Sequence, residues 1–379
     1  MVRLRLAARG GLVALVTGAL LVMGAGPAAA ATPSAAAMAT WQTNGPVYAV
    51  AYSNGTVYLG GAFTAVRPPG SSTTSVVRNN VAAFSASTGD LLPWDPNVDR
   101  TVRALAVGPT GTVYLGGQFS SVGGVQRFKL AAVDGSTGAA TSWAPSPDAL
   151  VRAIALSSDG STVYAGGDFS TVGGAARARA AAISASTGAL VSGWRADVGT
   201  TGTGFVNVTT LSIAGGTVYL GGTFDLVNGV TRVNTAAVSA ATGAVTSWKA
   251  NTPVTVLSIV NDGTRVFVGG RGTGGFLKAF GVSTGSQVWS AGTNGDVQAL
   301  AVRGSELYVG GHFTTVLSLT RNHLAALDTA TGTVLAWDPG MDGSVGAQAL
   351  ATDSGHLAAG GDFTFVGGRS QQDFAEFAG

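Results

Sequence analysis

The chain of 379 residues carries 58 Gly, no Cys and only 11% charged residues, with no long run of Leu, Lys or Glu at helical spacing. This composition argues for one all-β domain of short strands and tight turns, and the missing cysteines exclude disulfides, thiolate metal sites and cysteine nucleophiles together. The formal charge is +2 with Lys129, Lys249 and Lys278 as the only lysines, so the basic stripe of a nucleic-acid binder is absent.

In chain order, residues 1–31 read as a secretory signal peptide. Arg3, Arg5 and Arg9 precede an apolar stretch from Gly11 to Gly24, and "GPAAAAT" supplies a small-residue cleavage site. The alternative, a membrane anchor, suits the stretch less well because it is short and Gly-rich. Cleavage removes three arginines and no acid, taking the formal +2 to −1, and leaves no membrane span. The mature chain is thus expected to be secreted, extracellular or attached to the cell wall. Residues 32–37 are expected to be a disordered lead-in, and 38–379 the folded domain.

Repeats then dominate. Glycine pairs begin at Gly60, Gly116, Gly166, Gly221, Gly269, Gly310 and Gly360, and the seven tryptophans fall at Trp41, Trp94, Trp143, Trp194, Trp248, Trp289 and Trp337. Each unit reads as four strands: "ALAV" from Ala104, "TVYLGG" from Thr112, "KLAAV" from Lys129 and a last strand ending at Trp143, with Thr-Gly and Asp-Gly turns suited to hairpins. Such units are the spacing of β-propeller blades, whose faces are covered only by stacking. The expectation is a seven-bladed propeller of four-stranded antiparallel blades, in which residues 38–43 complete the blade begun by the C-terminal strand and remove the sheet edge at the seam.

The doubled glycine followed by a tryptophan resembles kelch propellers, and "ALDTATGTVLAW" resembles the tryptophan-docking phrase of quinoprotein-type propellers. Glycine pair, x, Phe, then a Thr-Gly turn and Trp is similar to secreted bacterial propellers of the delta-60-repeat type, over Trp41 to Gly379. The resemblance implies a repeat propeller outside the membrane and no reaction. The fifth unit, "VFVGGRGTGGFLKAF", departs from the pattern, and the first carries the insertion "RPPGSSTTSVV".

A residue present in every unit serves a need of every unit. On this ground the glycine pairs serve close backbone approach or unusual dihedrals, not phosphate binding, since no helix follows them. The Phe after each pair and the tryptophans are expected to pack between blades. Arg78, Arg127, Arg177, Arg232, Arg321 and Arg369 are expected to meet a loop carbonyl or carboxylate. The position between glycine pair and Phe varies instead: Gln118, Asp168, His312 and Asp362, with Arg271 in the fifth unit. These five are the candidate ligand-binding residues. Asp168, His312 and Asp362 carry metal-ligand atoms, against the reading of solvated residues on separate blades; no metal, cofactor or catalytic residue is assigned.

Enzymatic readings find little support. The histidines have no Gly-x-Ser-x-Gly elbow nearby, "SSDGSTVY" departs from the Asp box of sialidases, and the cysteine-modified tyrosine of galactose oxidases cannot form. The function expected is a non-catalytic extracellular module that binds or scaffolds a glycan, a cell-wall component or a protein through its variable loops. One alternative is a polysaccharide hydrolase or lyase using Asp95, Asp99, Asp148, Asp338 or Asp342; another is a purely structural surface protein.

Overall fold

The structure is a computed structural model and describes residues 32–70, 73–250, 252–272 and 274–379; the expected signal peptide lies outside them. Among the described residues there are strands and turns, and no helix long and apolar enough to cross a membrane.

Seven principal antiparallel sheets follow one another along the chain, here numbered 1 to 7. Their first strands are Val47–Ser53, Val102–Val107, Val151–Leu156, Asn207–Ala214, Val256–Asn261, Asp296–Arg303 and Gly346–Thr352. In sheet 2 the order is Val102–Val107, Thr112–Gly117, Leu130–Asp134. The second strand, "TVYLGG", is buried at five successive positions from Val113 to Gly117 and the third at Leu130 to Val133. A strand buried on alternate sides without a break is covered on both faces.

Neighbouring sheets provide that cover. Seven apolar clusters each span two sheets: Tyr58 and Ala83 of sheet 1 join Leu115 and Ala131 of sheet 2, and so on to the cluster of Ala358 and Phe374 of sheet 7 with Val47, Leu59 and Phe84 of sheet 1. The first glycine of each pair is the point of closest approach. A Cβ on Gly60 would stand 2.7 Å from Val102 Cγ1 of the next sheet, one on Gly116 2.7 Å from Val151 Cγ1, and one on Gly360 2.4 Å from Val47 Cγ1 of sheet 1. The second glycine makes room within its own sheet, where a Cβ on Gly117 would meet Thr101 O at 2.2 Å. Close approach is therefore what the pairs supply, with Gly311 alone among them at a positive φ, 159°.

The tryptophans tie sheet to sheet. Trp94 Nε1 donates to Asp134 O (3.0 Å), Trp143 to Ser184 O (2.8 Å), Trp194 to Ser239 O (3.1 Å), Trp248 to Gly281 O (3.0 Å) and Trp289 to Thr329 O (2.9 Å), each acceptor lying one sheet further on. The tyrosine hydroxyls of Tyr58, Tyr114, Tyr164 and Tyr219 reach the same turns. Among the described residues the expected fourth strand is a single bridge in five sheets, such as Val133↔Ala140, and a full strand, Gln287–Ala291, in sheet 5, where Trp289 makes the same contact from within it.

Residues 34–38, expected partly as a disordered lead-in, run along the last strand instead. Ser34 N–H donates to Ala378 O and Met38 N–H to Glu376 O, both at 2.7 Å, while Ala37 is buried. Ser34 O receives Trp337 Nε1 at 3.4 Å, the role that turn carbonyls play elsewhere. Gln371, also buried, donates to Thr40 Oγ1 (3.0 Å) and to Phe374 O (2.9 Å). Where backbone groups would otherwise be unpaired at the edge of sheet 7, this segment pairs them.

Candidate functional site

Of the five sequence candidates, two line one cleft. Arg271 and His312 border a space of about 770 Å³ with Asn294, Asp296 and Ser344. Arg271 Nε lies 3.7 Å from Asp296 Oδ2, and Asp296 Oδ1 accepts Gly272 N–H at 2.9 Å. The His312 ring lies parallel to that of buried His323, centroids 6.4 Å apart. His323 holds φ of 64° and places Nδ1 2.9 Å from Gly311 O. Asp362 stands behind the rim, accepting Ser344 Oγ at 3.1 Å. Gln118 is exposed and apart, its backbone carbonyl accepting Lys129 Nζ (3.1 Å). Asp168 is likewise outside the cleft, bound by Arg152 through Nε at 2.7 Å and Nη2 at 2.8 Å. Among the described residues no three His, Cys, Asp or Glu side chains converge to hold a metal.

Arg152 leads to the positions that the sequence reading missed. In every sheet the first and second strands shift register once, between Val47 and Ala49, Val102 and Ala104, Val151 and Ala153, and at the equivalent places beyond. Each shift is a bulge, which inserts one residue and re-aims its side chain. The inserted residues are Tyr48, Arg103 and Arg152, then Thr209 and Leu257, then Gln298 and Gln348. All seven line a single cavity of about 260 Å³, with Arg271 at its edge. Arg271 therefore belongs both to this cavity and to the His312 cleft. Further along the first strands Val50, Leu105, Ile154, Leu211, Leu300 and Leu350 line the adjoining space together with Thr210 and Ser258.

The cavity is basic. The Arg103 guanidinium lies 3.8 Å over the centroid of Tyr48, a cation–π contact, and its buried Nε has no acceptor. Burial pulls Arg103 below the ordinary arginine range; the Arg152 charge adds to this and Tyr48 opposes it. The signal was present in the chain: within "VYAV", "VRAL", "VRAI", "VTTL", "VLSI", "VQAL" and "AQAL" the second residue varies between nearly constant neighbours. Strict strand alternation hides it, because a bulge breaks the period of two.

The loop carboxylates are held by the scaffold. Asp148 Oδ1 accepts Ser170 N–H (2.8 Å) and Thr171 N–H (3.0 Å), and Oδ2 accepts Ser170 Oγ (2.6 Å). Asp99 and Asp342 repeat this with Ser120–Ser121 and Thr364–Phe365, and the amides of Asn44 and Asn294 do so in sheets 1 and 6. Burial alone would raise the Asp148 carboxyl, but the Ser170 and Thr171 bonds outweigh it and hold it below the usual range. Asp95 and Asp338 face the recurrent arginines, 3.7 Å from Arg78 and 3.4 Å from Arg321. Those arginines also donate to loop carbonyls, Leu92 O at 3.1 Å and Leu335 O at 2.8 Å. Asp148→Ala is expected to lower the unfolding midpoint by an amount equivalent to about 1 kcal/mol, measured by urea denaturation; no change would show that the latch is idle.

No family model matches the chain, and no curated protein does. Among solved structures, it is similar to the crystal structure of the computationally designed Ika8 protein, at 15% identity and a TM-score of 0.56, over 92% of this chain and 100% of that one. At that identity the likeness concerns the fold alone.

Proposed function

We propose that this chain is a secreted, seven-bladed β-propeller of the delta-60-repeat kind that binds an extracellular ligand without transforming it, a glycan in the first instance. The seven two-sheet clusters, the return of Gly360 onto Val47 and the pairing of residues 34–38 with the last strand support the closed arrangement. The leader-like N-terminus supports export.

One observation carries the binding reading: the bulge residue of every sheet, a variable position between nearly constant neighbours, lines one shared cavity. A pocket with a few convergent polar groups is where a ligand site is expected. The engagement of Asp99, Asp148 and Asp342 with backbone N–H groups favours binding over hydrolysis, because a catalytic pair needs carboxylates free to meet substrate.

A glycan array combined with a polysaccharide-turnover screen on the purified protein tests this. Binding without product release is the expected result. Turnover that disappears in Asp95→Asn or Asp338→Asn would overturn it, and so would an array without a single bound glycan.

A further inference from the structure

The cavity shared by the seven bulge residues has a defined charge deficit. Three guanidinium groups line it, those of Arg103, Arg152 and Arg271. Arg152 is matched by Asp168 in a two-bond fork at 2.7 and 2.8 Å, and Arg271 faces Asp296 at 3.7 Å. Arg103 meets no carboxylate among the described residues and has the face of Tyr48; its Nε, buried without an acceptor as in Arg78, Arg127, Arg177, Arg232 and Arg321, is closed to a ligand. A cation without a counter-charge in a partly buried site is costly, and a planar guanidinium is best satisfied by a planar oxyanion bound through two parallel N–H bonds, here those of the two Nη groups.

Beside it, the carboxamides of Gln298 and Gln348 line the same space and make no side-chain hydrogen bond among the described residues. A carboxamide donates and accepts, which suits hydroxyl groups. The volume of about 260 Å³ lies just below that of pockets for drug-sized ligands, roughly 300 Å³ upward, and so suits one sugar ring.

We propose that this cavity binds a hydroxylated monocarboxylate of monosaccharide size, a uronic acid, with its carboxylate on Arg103 and its hydroxyls on Gln298 and Gln348. The assignment rests on the binding-module reading and names the ligand class of the same site. One unmatched guanidinium calls for a single negative charge, which separates a carboxylate from dianionic phosphate.

Calorimetric titration of the purified protein with D-glucuronate, D-glucose and inorganic phosphate tests it. Glucuronate is expected to bind at least tenfold more tightly than either of the others, and its affinity to fall as salt rises. Arg103→Gln is expected to reduce glucuronate affinity at least tenfold with no fall in melting temperature, and Arg103→Lys to recover part of it. Should Arg103→Gln fail to fold, Gln348→Ala is expected to weaken glucuronate severalfold while leaving its preference over phosphate. Equal binding of glucose would overturn the anion assignment and leave the binding module standing. Phosphate equal to glucuronate would overturn the sugar acid. Binding of alginate with monomeric glucuronate inert would overturn the single-residue site, whereas binding of both identifies a residue presented free or at a chain end. Array binding of neutral glycans with glucuronate inert would overturn this inference alone.

Discussion

Trp94→Ala is expected to destabilise the protein by about 3–5 kcal/mol, the range for emptying a large aromatic site in a packed interior. Trp94 is 2% exposed, stands edge-on to Tyr58 with centroids 5.1 Å apart, and donates Nε1 to Asp134 O of the next sheet. The substitution therefore opens a cavity between two sheets, deletes an aromatic pair and strips one bond from a turn carbonyl. No sheet has a private core to fall back on, since every apolar cluster spans two sheets. Trp94→Phe separates the contributions: most packing returns, and the remaining loss of about 1 kcal/mol plus the smaller ring's volume reports the missing hydrogen bond. Urea denaturation followed by near-ultraviolet circular dichroism provides the measurement. A loss under 1 kcal/mol for Trp94→Ala would refute the account of the tryptophans as ties between sheets.

The second large effect concerns pH and lies where sheet 7 meets sheet 1. Ala83, Ala132, Ala182, Ala237 and Ala326 occupy one third-strand position, opposite Tyr58, Tyr114, Tyr164, Tyr219 and Tyr308. In sheet 7 the pair is reversed in size, with Glu376 opposite Ala358. Tyr52 of sheet 1 fills the gap and donates its hydroxyl to Glu376 Oε1 at 2.6 Å, while Oε2 has no partner. Burial pushes the Glu376 carboxyl up to about 7 and Asp353 adds to the rise, against the Tyr52 bond and His356. Asp373, also buried, is pushed up to about 7 by burial, with Asp362 adding to it and the Phe363 backbone bond and Arg67 opposing. Both groups bind protons more tightly folded than unfolded. Their contribution is complete below the unfolded carboxylate range near pH 4 and drains away as pH rises through about 7.

Stability should therefore peak near pH 4–5. Below that range the latch carboxylates, held low by hydrogen bonds as at Asp99 and Asp342, lose their contribution. Glu376→Gln and Asp373→Asn should each raise stability at pH 8 by up to about 3 kcal/mol, from shifts worth roughly 1.4 kcal/mol per pH unit, and change little at pH 4.5. Asparagine already fills the matching left-handed positions in sheets 1 and 4, where Asn80 and Asn234 have φ of 64° and 59° against 61° for Asp373. Melting temperatures from pH 4.5 to 8.5 give the answer. Variant and parent curves that run parallel would refute it.

Of the residues lining the bulge cavity, the sequence reading had named Arg271 alone. Arg271 and His312 do share a cleft, because the residue after each glycine pair sits at the end of a second strand, at one height in every unit. Gln118 and Asp168 fall elsewhere, since that height is common to all units while the cleft belongs to the fifth, sixth and seventh alone. Asp168 matters in another way, as the partner that fixes Arg152 beside Arg103.

The amino-acid order alone determined how many units there are, and that their glycines, phenylalanines and tryptophans serve packing. A contact made identically in each unit imprints the same residue at the same spacing, and spacing can be read without coordinates. Tertiary structure alone decided which irregular residues meet. The bulge is a property of how two strands pair and breaks the period of two along the first of them, so counting by twos misplaces its side chain, and only the assembled sheets aim Tyr48, Arg103 and Gln348 into the same space.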